Sequence, residues 1–529
     1  MKKLVASLLV VIMTMMCLAG CGGSGDNEKV ELIWASMVYE SQEYETVIKV
    51  FNEKLQEFLP NTTVKFQQVT AQNWPLAMSG GEVIDIAWSG YLFDPLEEVK
   101  KGSYLALDDL IAEYGPNIKK EMEEEYATDY ANGNYEGKQY LIPNQQARFD
   151  QTGSIIIPAS LWKYMDVDAM RAALDESPYL TEKQLQIIDD YLEKVFASND
   201  YDTDVIAKYM DVASLGVLAE RGYDSIAGYM YYKAFEENPE IVHFGETDEF
   251  KLFAKYATKW YDKGYISSEV LTGGGIGSRT AVISYSQTND WHATTVEGMG
   301  EERGVVYGFN EVGDITTYKI LTESVNQMYN GVAEFAKDNT YLTIPYTSKH
   351  PERAMQLLDL LRSPEGQELF TLLVYGFEKD SELAKEYNTY HYEVTEDGMA
   401  QGVDYTVQPN ATSKYGMAGW MVGNCLLTYL TPDLAPGADK YIRDFKKNVE
   451  PTLHATKYAG FMSDNSEIKT DLANLKATYA EYSKRISTGM AGAEMEKLYN
   501  EMITRLKECH LEEVKQNLQK QADEFASAQ

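Results

Sequence analysis

Aromatic side chains stand beside amide or carboxylate side chains in several segments that read as loops. They are the pair Trp88 and Tyr91, the run Asn289-Asp290-Trp291, and Trp420 with Asn424. A sugar ring presents an apolar CH face and a rim of hydroxyl groups, so a saccharide site needs a flat aromatic ring under the face and hydrogen-bonding groups at the rim. Tyrosine, whose ring carries a polar handle, outnumbers phenylalanine 39 to 17. These segments predict saccharide contacts, with burial in the core as the alternative for each tryptophan.

Motifs for covalent catalysis are absent from the sequence. The six histidines include no His-Glu-x-x-His pair, and there is no Gly-x-Ser-x-Gly elbow and no Gly-x-x-x-x-Gly-Lys phosphate loop. Two carboxylates could together hydrolyse a glycoside, but with 82 acidic residues such pairs arise by chance. We therefore predict a binding protein rather than an enzyme, with a glycan hydrolase as the alternative from another class.

One acidic run has part of the spacing of a calcium loop. Asp200, Asp202, Asp204 and Asp211 occupy the first, third, fifth and twelfth positions, but Val205 stands where the sixth position needs glycine. The twelfth position also lacks the bidentate glutamate. A solvated acidic turn explains the run equally well, so we predict no metal and no cofactor.

The N-terminal residues have the organisation of an export signal. Lys2 and Lys3 precede an apolar stretch too short to span a bilayer as a stable helix, and Leu18-Ala19-Gly20-Cys21 follows it. This ending resembles the lipobox of bacterial lipoproteins, which implies cleavage before Cys21 and a diacylglycerol group on its thiol, with acyl chains such as palmitate. We predict a signal peptide at 1–20, a flexible tether at 21–29 and a lipid-anchored chain on the extracellular face of the cell membrane. An ordinary secretory signal is the alternative.

Charge and cysteine content narrow the remaining possibilities. A net charge of −35 makes nucleic acid and anionic membrane surfaces unsuitable partners for the body of the protein. No segment after the signal approaches about 18 consecutive apolar residues, so lipid on Cys21 would be the only membrane attachment. Cys425 and Cys509 could form a disulfide bond in an exported protein, but Cys509 falls on an apolar helical stripe. That position favours a buried free thiol.

The segment after the tether predicts an open α/β sheet. A strand over 30–35 is followed by apolar residues at helical spacing over 44–58 and by a second strand over 63–69, which makes a β-α-β unit. A Gly80-Gly81 turn then leads into a short buried strand. Open sheets bind ligands just beyond the carboxyl ends of their strands, so we expect Tyr39, after the first strand, in a binding loop.

The C-terminal sequence predicts two docked helices. Apolar residues recur at helical spacing from Met495 to Cys509, and a second stripe in shifted phase runs from Leu511 to Phe525. The phase break near His510 separates the two helices. A coiled coil is the alternative, but each stripe is too short for one.

Motifs along the chain occur in the order typical of one family. The strand with Asp85-Ile86, a Gly-Lys-x-Tyr-x-Ile-Pro segment at 137–143 and a Ser-Lys-His-Pro helix start at 348–351 follow one another behind the lipobox. This order resembles family 1 extracellular solute-binding proteins, the ligand-capturing components of ABC importers. His350 stands where that family usually has asparagine, a better N-cap, so we expect a weaker helix start there.

Two motifs in the last third resemble one subgroup of that family. The segments 419–424 and 517–521 are similar to those of LipO- or LplA-like proteins, which end in a domain of unknown function. The resemblance implies an α/β, two-lobed periplasmic-binding-protein-like (class II) fold with an interlobe cleft and a helical C-terminal extension. It also implies crossing segments near Pro143 to Arg148 and around residues 270 and 340. The expected ranges are 30–143 plus about 280–335 for lobe 1, about 144–272 plus about 340–430 for lobe 2, and about 431–529 for the helical domain.

The resemblance further implies a function and a site. The function is capture of an oligosaccharide outside the membrane by lobe closure and delivery to an ABC permease, by a monomeric chain and without covalent chemistry. Peptide or another polar solute is the alternative ligand within the class. The tryptophans would stack on sugar rings, and the amides, Asp290 and Arg148 would bind hydroxyl groups or a uronate carboxylate. The predicted cleft residues are Tyr39, Trp88, Tyr91, Asn144, Arg148, Asn289, Asp290, Trp291, Trp420 and Asn424.

Overall fold

The computed structural model of the chain describes most of the sequence after the tether. The described residues are 29–37, 41–90, 92, 95–145, 148–198, 200–201, 206, 208–270, 281–289, 303–309, 315–322, 329–330, 340–394, 398, 400–401, 414–429, 454–461 and 463–528. The predicted signal peptide and Cys21 lie outside them, as do the tether residues before Lys29.

The described residues form eighteen strands and sixteen α-helices. The strands are β1 (Val30–Ser36), β2 (Thr62–Gln68), β3 (Ile86–Ser89), β4 (Asn134–Tyr135), β5 (Lys138–Gln139), β6 (Ile142–Pro143), β7 (Arg148–Pro158), β8 (Tyr223–Ala227), β9 (Met230–Lys233), β10 (Val242–His243), β11 (Ser284–Asn289), β12 (Arg303–Phe309), β13 (Ile315–Thr322), β14 (Tyr329–Asn330), β15 (Tyr341–Thr343), β16 (Glu393–Val394), β17 (Ala400–Gln401) and β18 (His454–Ala455). The helices are α1 (Tyr44–Leu55), α2 (Asn73–Gly80), α3 (Pro95–Lys100), α4 (Asp108–Tyr114), α5 (Pro116–Lys120), α6 (Ala127–Ala131), α7 (Val167–Glu176), α8 (Glu182–Ala197), α9 (Val212–Leu215), α10 (Asp248–Asp262), α11 (Pro351–Leu360), α12 (Gln367–Tyr375), α13 (Glu382–Tyr387), α14 (Lys469–Ser487), α15 (Met495–Glu508) and α16 (Leu511–Ala528).

Lobe 1 is built on a five-stranded sheet in the order β2-β1-β3-β15-β6. Strand β1 pairs in parallel with β2 and β3, and β15 lies antiparallel between β3 and β6. The predicted β-α-β unit is confirmed as β1, α1 and β2, with Val47 and Phe51 of α1 buried in the lobe 1 core. Gly81 ends α2 with a φ of 67°, which glycine adopts without strain, and the chain turns there toward β3.

The strand order corrects the predicted lobe boundaries. Strand β15 and helices α11 and α12 belong to lobe 1, whereas β11, β12 and β13 form a sheet with β7 in lobe 2, in the order β11-β7-β13-β12. The strands described within 280–322 therefore belong to lobe 2, and the strand and helices described within 340–375 belong to lobe 1, the reverse of the prediction. The physical reason is that the buried strand β15 fills the gap between β3 and β6, while the long strand β7 offers both of its edges, to β11 and β13.

The crossing segments are also partly corrected. The chain leaves lobe 1 after Pro143 and enters lobe 2 at Arg148, as predicted, and it has returned to lobe 1 by Tyr341. The predicted crossing around residue 270 is wrong, because β11 stays in the lobe 2 sheet with β7. Residues 271–280, which follow this predicted crossing, lie outside the described residues.

Lobe 2 and the C-terminal helices share one hydrophobic core. Ile155 and Ile157 of β7 belong to the same buried cluster as Tyr479 of α14, Met502 of α15 and Leu518 of α16. The break between α15 and α16 falls at His510, which has a φ of 61°. The prediction of two docked helices is confirmed, and both apolar stripes are buried on lobe 2 rather than in a coiled coil.

The two cysteines after the tether are both free thiols. Cys425 lies in a loop of lobe 1, and Cys509 directly follows α15, where its Sγ is 3.4 Å from Thr478 Oγ1. The free-thiol prediction for Cys509 is confirmed, although its side chain is only partly buried. Among the described helices, none is both long enough and apolar enough to cross a membrane.

Candidate functional site

Four strand ends of the lobe 1 sheet meet at one edge. Strand β1 ends at Ser36 and β3 at Ser89, and Tyr341 at the start of β15 lies opposite both Ser89 and Pro143, the last residue of β6. Open α/β sheets bind ligands just outside the carboxyl ends of their strands. This edge, with the side chains that adjoin it, is therefore the candidate site.

Two predicted tryptophans meet at the candidate site, but they are not equivalent. Trp88 lies within β3 and is fully buried, so its predicted loop position is wrong and neither face of its ring is exposed. Trp420 lies on the turn Gly419–Met421 and is half-buried. The two rings pack edge to face, with centroids 6.4 Å apart and an interplanar angle of 67°. Trp88 thus supports, from within the core, the ring that Trp420 partly exposes.

Asn144 is held at the same edge by Thr340. Its N–H group donates to the carbonyl oxygen of Thr340 at 2.8 Å, and its Nδ2 donates to Thr340 Oγ1 at 3.4 Å. Thr340 Oγ1 in turn donates to the carbonyl oxygen of Trp420 at 2.8 Å. Asn144 is 6% exposed, and its Oδ1 has no hydrogen-bond partner among the described residues. A buried acceptor without a partner is costly, which marks this oxygen as the candidate hydrogen-bond acceptor of the site.

Asn424 lies close in sequence to Trp420 but has a structural role. It is fully buried, its Nδ2 donates to Glu121 Oε1 at 2.9 Å, and its Oδ1 accepts the N–H group of Leu426 at 3.0 Å. The predicted ligand contact is therefore corrected, because both polar atoms of the amide are engaged within the protein. The N–H group of Cys425 donates to the carbonyl oxygen of Gln145 at 3.0 Å. This bond ties the loop to the segment that leaves lobe 1.

Arg148 and Asn289 are brought together on lobe 2. They are register partners in the antiparallel pair β7 and β11, next to an irregularity between Gln287 and Asn289. Asn144 and Arg148 thus stand at the two ends of one crossing segment. The side chains of Arg148 and Asn289 are not described, and the remaining predicted residues outside the described part of the chain are Tyr39, Tyr91, Asp290 and Trp291.

A buried ion pair beside the site was missed by the sequence analysis. Arg362 Nε lies 3.1 Å from Glu121 Oε2, and neither side chain is more than 5% exposed. The hydroxyl group of Tyr130 donates to the same oxygen at 2.9 Å. Burial, together with the charge of Glu121, raises the pKa of Tyr130. Glu121 begins an acidic run that reads as solvated surface, so no sequence signal distinguishes it.

A cavity of about 1190 Å³ lies on lobe 1 beside α12. Its wall includes Glu121, Arg362, Thr371 and Leu427, and it carries charges of both signs. None of the predicted site residues with described side chains lines it. The cavity is therefore separate from the candidate site.

The acidic run at 200–211 uses its described carboxylates within the protein. Asp200 lies 2.6 Å from the ammonium group of Lys163, whose hydrogen bond lowers the pKa of Asp200. Asp211 caps α9 by accepting the N–H group of Ser214 at 3.1 Å. Asp202 and Asp204 lie outside the described residues. In the described part of the chain, no group of three or more His, Cys, Asp or Glu residues is arranged to hold a metal ion.

A family model matches only the C-terminal region, whereas a related protein matches most of the chain. Residues 457–527 match a family described as a domain of unknown function, DUF3502. A carbohydrate ABC transporter substrate-binding protein of Streptococcus pneumoniae serotype 4 is 23% identical over 456 residues, which cover 84% of this chain and 80% of that protein. The predicted resemblance to solute-binding proteins of ABC importers agrees with this similarity.

Solved structures define the class of fold. The N-glycan transport solute-binding protein NgtS from Streptococcus pneumoniae is similar with a TM-score of 0.68 at 17% identity, over 94% of this chain and 99% of that one. Its complex with Man1GlcNAc gives a TM-score of 0.65 at 16% identity, with the same coverage. The Streptococcus pneumoniae ABC-transporter substrate-binding protein FusA in complex with kestose gives 0.56 at 13% identity, over 95% of this chain and all of that one. The chain has the two-lobed fold of periplasmic solute-binding proteins, with a helical C-terminal region, as predicted.

Proposed function

We propose that this chain captures an oligosaccharide outside the membrane and delivers it to the permease of an ABC importer. The observation that carries the proposal is the half-buried ring of Trp420 together with Asn144 Oδ1, which has no hydrogen-bond partner among the described residues, at the strand edge of lobe 1. A ring and an acceptor at neighbouring positions match the apolar face and the hydroxyl rim of a sugar. NgtS and FusA, which share this fold, were solved with Man1GlcNAc and kestose respectively, which supports a saccharide ligand.

Closure of the lobes is the proposed capture step. Asn144 and Arg148 flank one crossing segment, so a rotation there changes the separation of the two lobes. A sugar that contacts both lobes favours the closed state by its additional affinity for that state. We propose that Tyr39, Tyr91, Arg148, Asn289, Asp290 and Trp291 supply contacts beyond Trp420 and Asn144. The chain forms no covalent bond with the sugar.

Attachment to the membrane is a separate part of the proposal. A lipid on Cys21 would hold the monomeric chain on the extracellular face, close to its permease, as in the LipO- or LplA-like subgroup. Labelling of cells with a palmitate analogue tests this. The wild-type chain should carry the label and sediment with membranes, whereas Cys21→Ser should do neither. An unlabelled wild-type chain released to the medium would contradict the anchor.

Calorimetric titration of the purified chain tests the proposed function. We would titrate residues 21–529 with Man1GlcNAc, Man5GlcNAc and kestose, the sugars present in structures of NgtS and FusA. The titration gives the dissociation constant of each sugar. In urea denaturation, a sugar at a hundredfold excess over its dissociation constant should raise the free energy of unfolding by about 2.7 kcal/mol. Binding of a peptide pool but no sugar would favour the alternative ligand class. Sugar products that accumulate with turnover would instead indicate a hydrolase.

A further inference from the structure

A buried ion pair connects the two segments that form the candidate site. Arg362 Nη2 donates to the carbonyl oxygen of Pro143, at the end of β6, at 3.1 Å. Glu121 Oε1 accepts the Nδ2 group of Asn424, in the loop that carries Trp420, at 2.9 Å. Arg362 and Glu121 are joined to each other at 3.1 Å. Each member of the pair therefore holds one segment, and their mutual contact sets the distance between the segments.

The stability of the core does not by itself explain why an ion pair occupies this buried position. A buried ion pair must overcome the loss of hydration of both charges, and apolar side chains of similar volume often stabilise a core equally well. Glu121 accepts hydrogen bonds from Arg362, Tyr130 and Asn424, so its carboxylate orientation is fixed. It also begins the π-helical turn Glu121–Glu125, an irregularity that is common near functional sites. These features indicate that the pair fixes the distance between the two segments.

We propose that Glu121 and Arg362 are positioning residues that hold Trp420 and Asn144 at the separation needed for one sugar ring to contact both. The proposal rests on the proposed function. Asn144 follows Pro143 directly, and the loop with Asn424 begins at the turn that contains Trp420. The bonds between Thr340, Asn144 and Trp420 link the same two segments a second time. The pair thus acts through the site residues and does not touch the sugar.

Two double variants isolate the link to Asn424. The first, called Met/Met, combines Glu121→Met with Arg362→Met and removes both the charges and the acceptor for Asn424. The second, called Gln/Met, combines Glu121→Gln with Arg362→Met and removes the charges but keeps an acceptor. We expect the Met/Met variant to bind Man5GlcNAc about tenfold more weakly than wild type or worse, because a hydrogen bond to a charged group is lost. The Gln/Met variant loses the bond from Arg362 to Pro143 but keeps the acceptor for Asn424, so it should bind more weakly than wild type and more tightly than Met/Met. Equal affinity of the two variants would overturn the proposal.

A double-mutant cycle shows whether the effect passes through Trp420. In a Trp420→Ala background, Met/Met and Gln/Met should bind the sugar equally, because the ring to be placed is absent. A purely structural role would leave the difference between them unchanged in that background. That result would contradict positioning through Trp420.

Amide hydrogen exchange of the chain without sugar separates this proposal from the proposed function. Peptides that span 419–428 should exchange faster in Met/Met than in Gln/Met, even if the wild-type chain binds none of the three sugars. Unchanged exchange would overturn the positioning role, and failure of wild type to bind sugar would count against the function alone.

If Met/Met does not fold, Asn424→Ser replaces it, because serine can still cap the Leu426 N–H group but is too short to reach Glu121. Asn424→Ser should show the same weaker binding and faster exchange, and wild-type values for both would overturn the proposal.

Discussion

The carboxylate of Asp85 accepts a hydrogen bond from the hydroxyl group of Ser348 at 2.8 Å. The same oxygen accepts the N–H groups of Lys349 and His350 at 3.0 and 3.3 Å, and the other oxygen accepts the N–H group of Ile33 at 3.0 Å. The side chain of His350 makes no cap at the start of α11, so Asp85 supplies the acceptor and the negative charge from a distant segment. Two separate sequence motifs thus form one unit that attaches α11 to the lobe 1 sheet.

Loss of this unit should destabilise the protein. Asp85→Ala is expected to lower the free energy of unfolding by about 3 kcal/mol, because Asp85 is 1% exposed and three partly buried hydrogen bonds from backbone N–H groups would lose their acceptor. Urea denaturation measures the change. The control Asp262→Ala, at an exposed position, should change the free energy by less than about 0.5 kcal/mol. Equal values for the two variants would show that the cap contributes nothing.

The two tryptophans that pack edge to face should respond differently to truncation. Trp420→Ala should weaken sugar binding several-fold, since a stacking ring contributes about 0.5–1.5 kcal/mol, and should lower the free energy of unfolding much less than Trp88→Ala does, because its ring is only half-buried. Trp88→Ala should lower the free energy of unfolding by about 3–5 kcal/mol, because its ring is fully buried. Phe58→Ala, at a ring that is 41% exposed, controls for loss of an aromatic side chain. If Trp420→Ala unfolds the chain and binding by the folded fraction is unchanged, Trp420 is not a sugar platform.

Glu220 should make stability depend on pH. Burial raises the pKa of Glu220 to about 7, although the hydroxyl group of Tyr231 lies 3.5 Å from its carboxylate. Because this pKa exceeds the value of 4.5 for the unfolded chain, the contribution of Glu220 is fully present below pH 4.5 and is lost as the pH rises to about 7. Glu220→Gln should therefore exceed wild type in free energy of unfolding by on the order of 2 kcal/mol at pH 8 and equal it at pH 4. Urea denaturation at both pH values measures this difference, with Glu237→Gln at an exposed position as the control. A Glu220→Gln variant less stable than wild type at pH 8 would contradict the prediction.

Gln519 should be needed to dock the last helix on lobe 2. Its Oε1 accepts the N–H group of Ile241 at 2.8 Å, and its Nε2 donates to the hydroxyl oxygen of Tyr458 at 2.8 Å. Gln519→Ala should lower the free energy of unfolding by about 1–3 kcal/mol, because the Ile241 N–H group loses its partner. Faster amide exchange in α16 should accompany this loss. Gln516→Ala, exposed on the same helix, should do neither, and a similar effect of both variants would exclude a specific role for Gln519.

Local patterns in the sequence predicted the elements whose formation depends on near neighbours. The β-α-β unit of β1, α1 and β2, the turn at Gly81 and the break at His510 all follow from spacing of apolar residues or from one backbone conformation. The partner of each strand was harder to predict. Tyr341, Leu342 and Thr343 form a short buried strand whose sequence fits either lobe, and only the gap between β3 and β6 assigns it to lobe 1.

The candidate site was predicted only in part, because local patterns do not show which side chains meet at long range. Trp420 and Asn144 lie at the predicted strand edge, whereas Trp88 belongs to a strand that is buried throughout and continues two residues beyond Ala87. The buried role of Asn424 depends on Glu121, which is remote in sequence. Such long-range pairing leaves no local pattern in one sequence.

During synthesis, lobe 1 cannot be completed until β15 leaves the ribosome. Strand β15 lies between β3 and β6, so the edges of both earlier strands stay unpaired while most of lobe 2 is translated. Pairing between such distant segments is intrinsically slow, because the entropy of closing a long loop must be overcome first. The nascent chain therefore exposes open strand edges for a long interval, in which a protective chaperone would reduce aggregation.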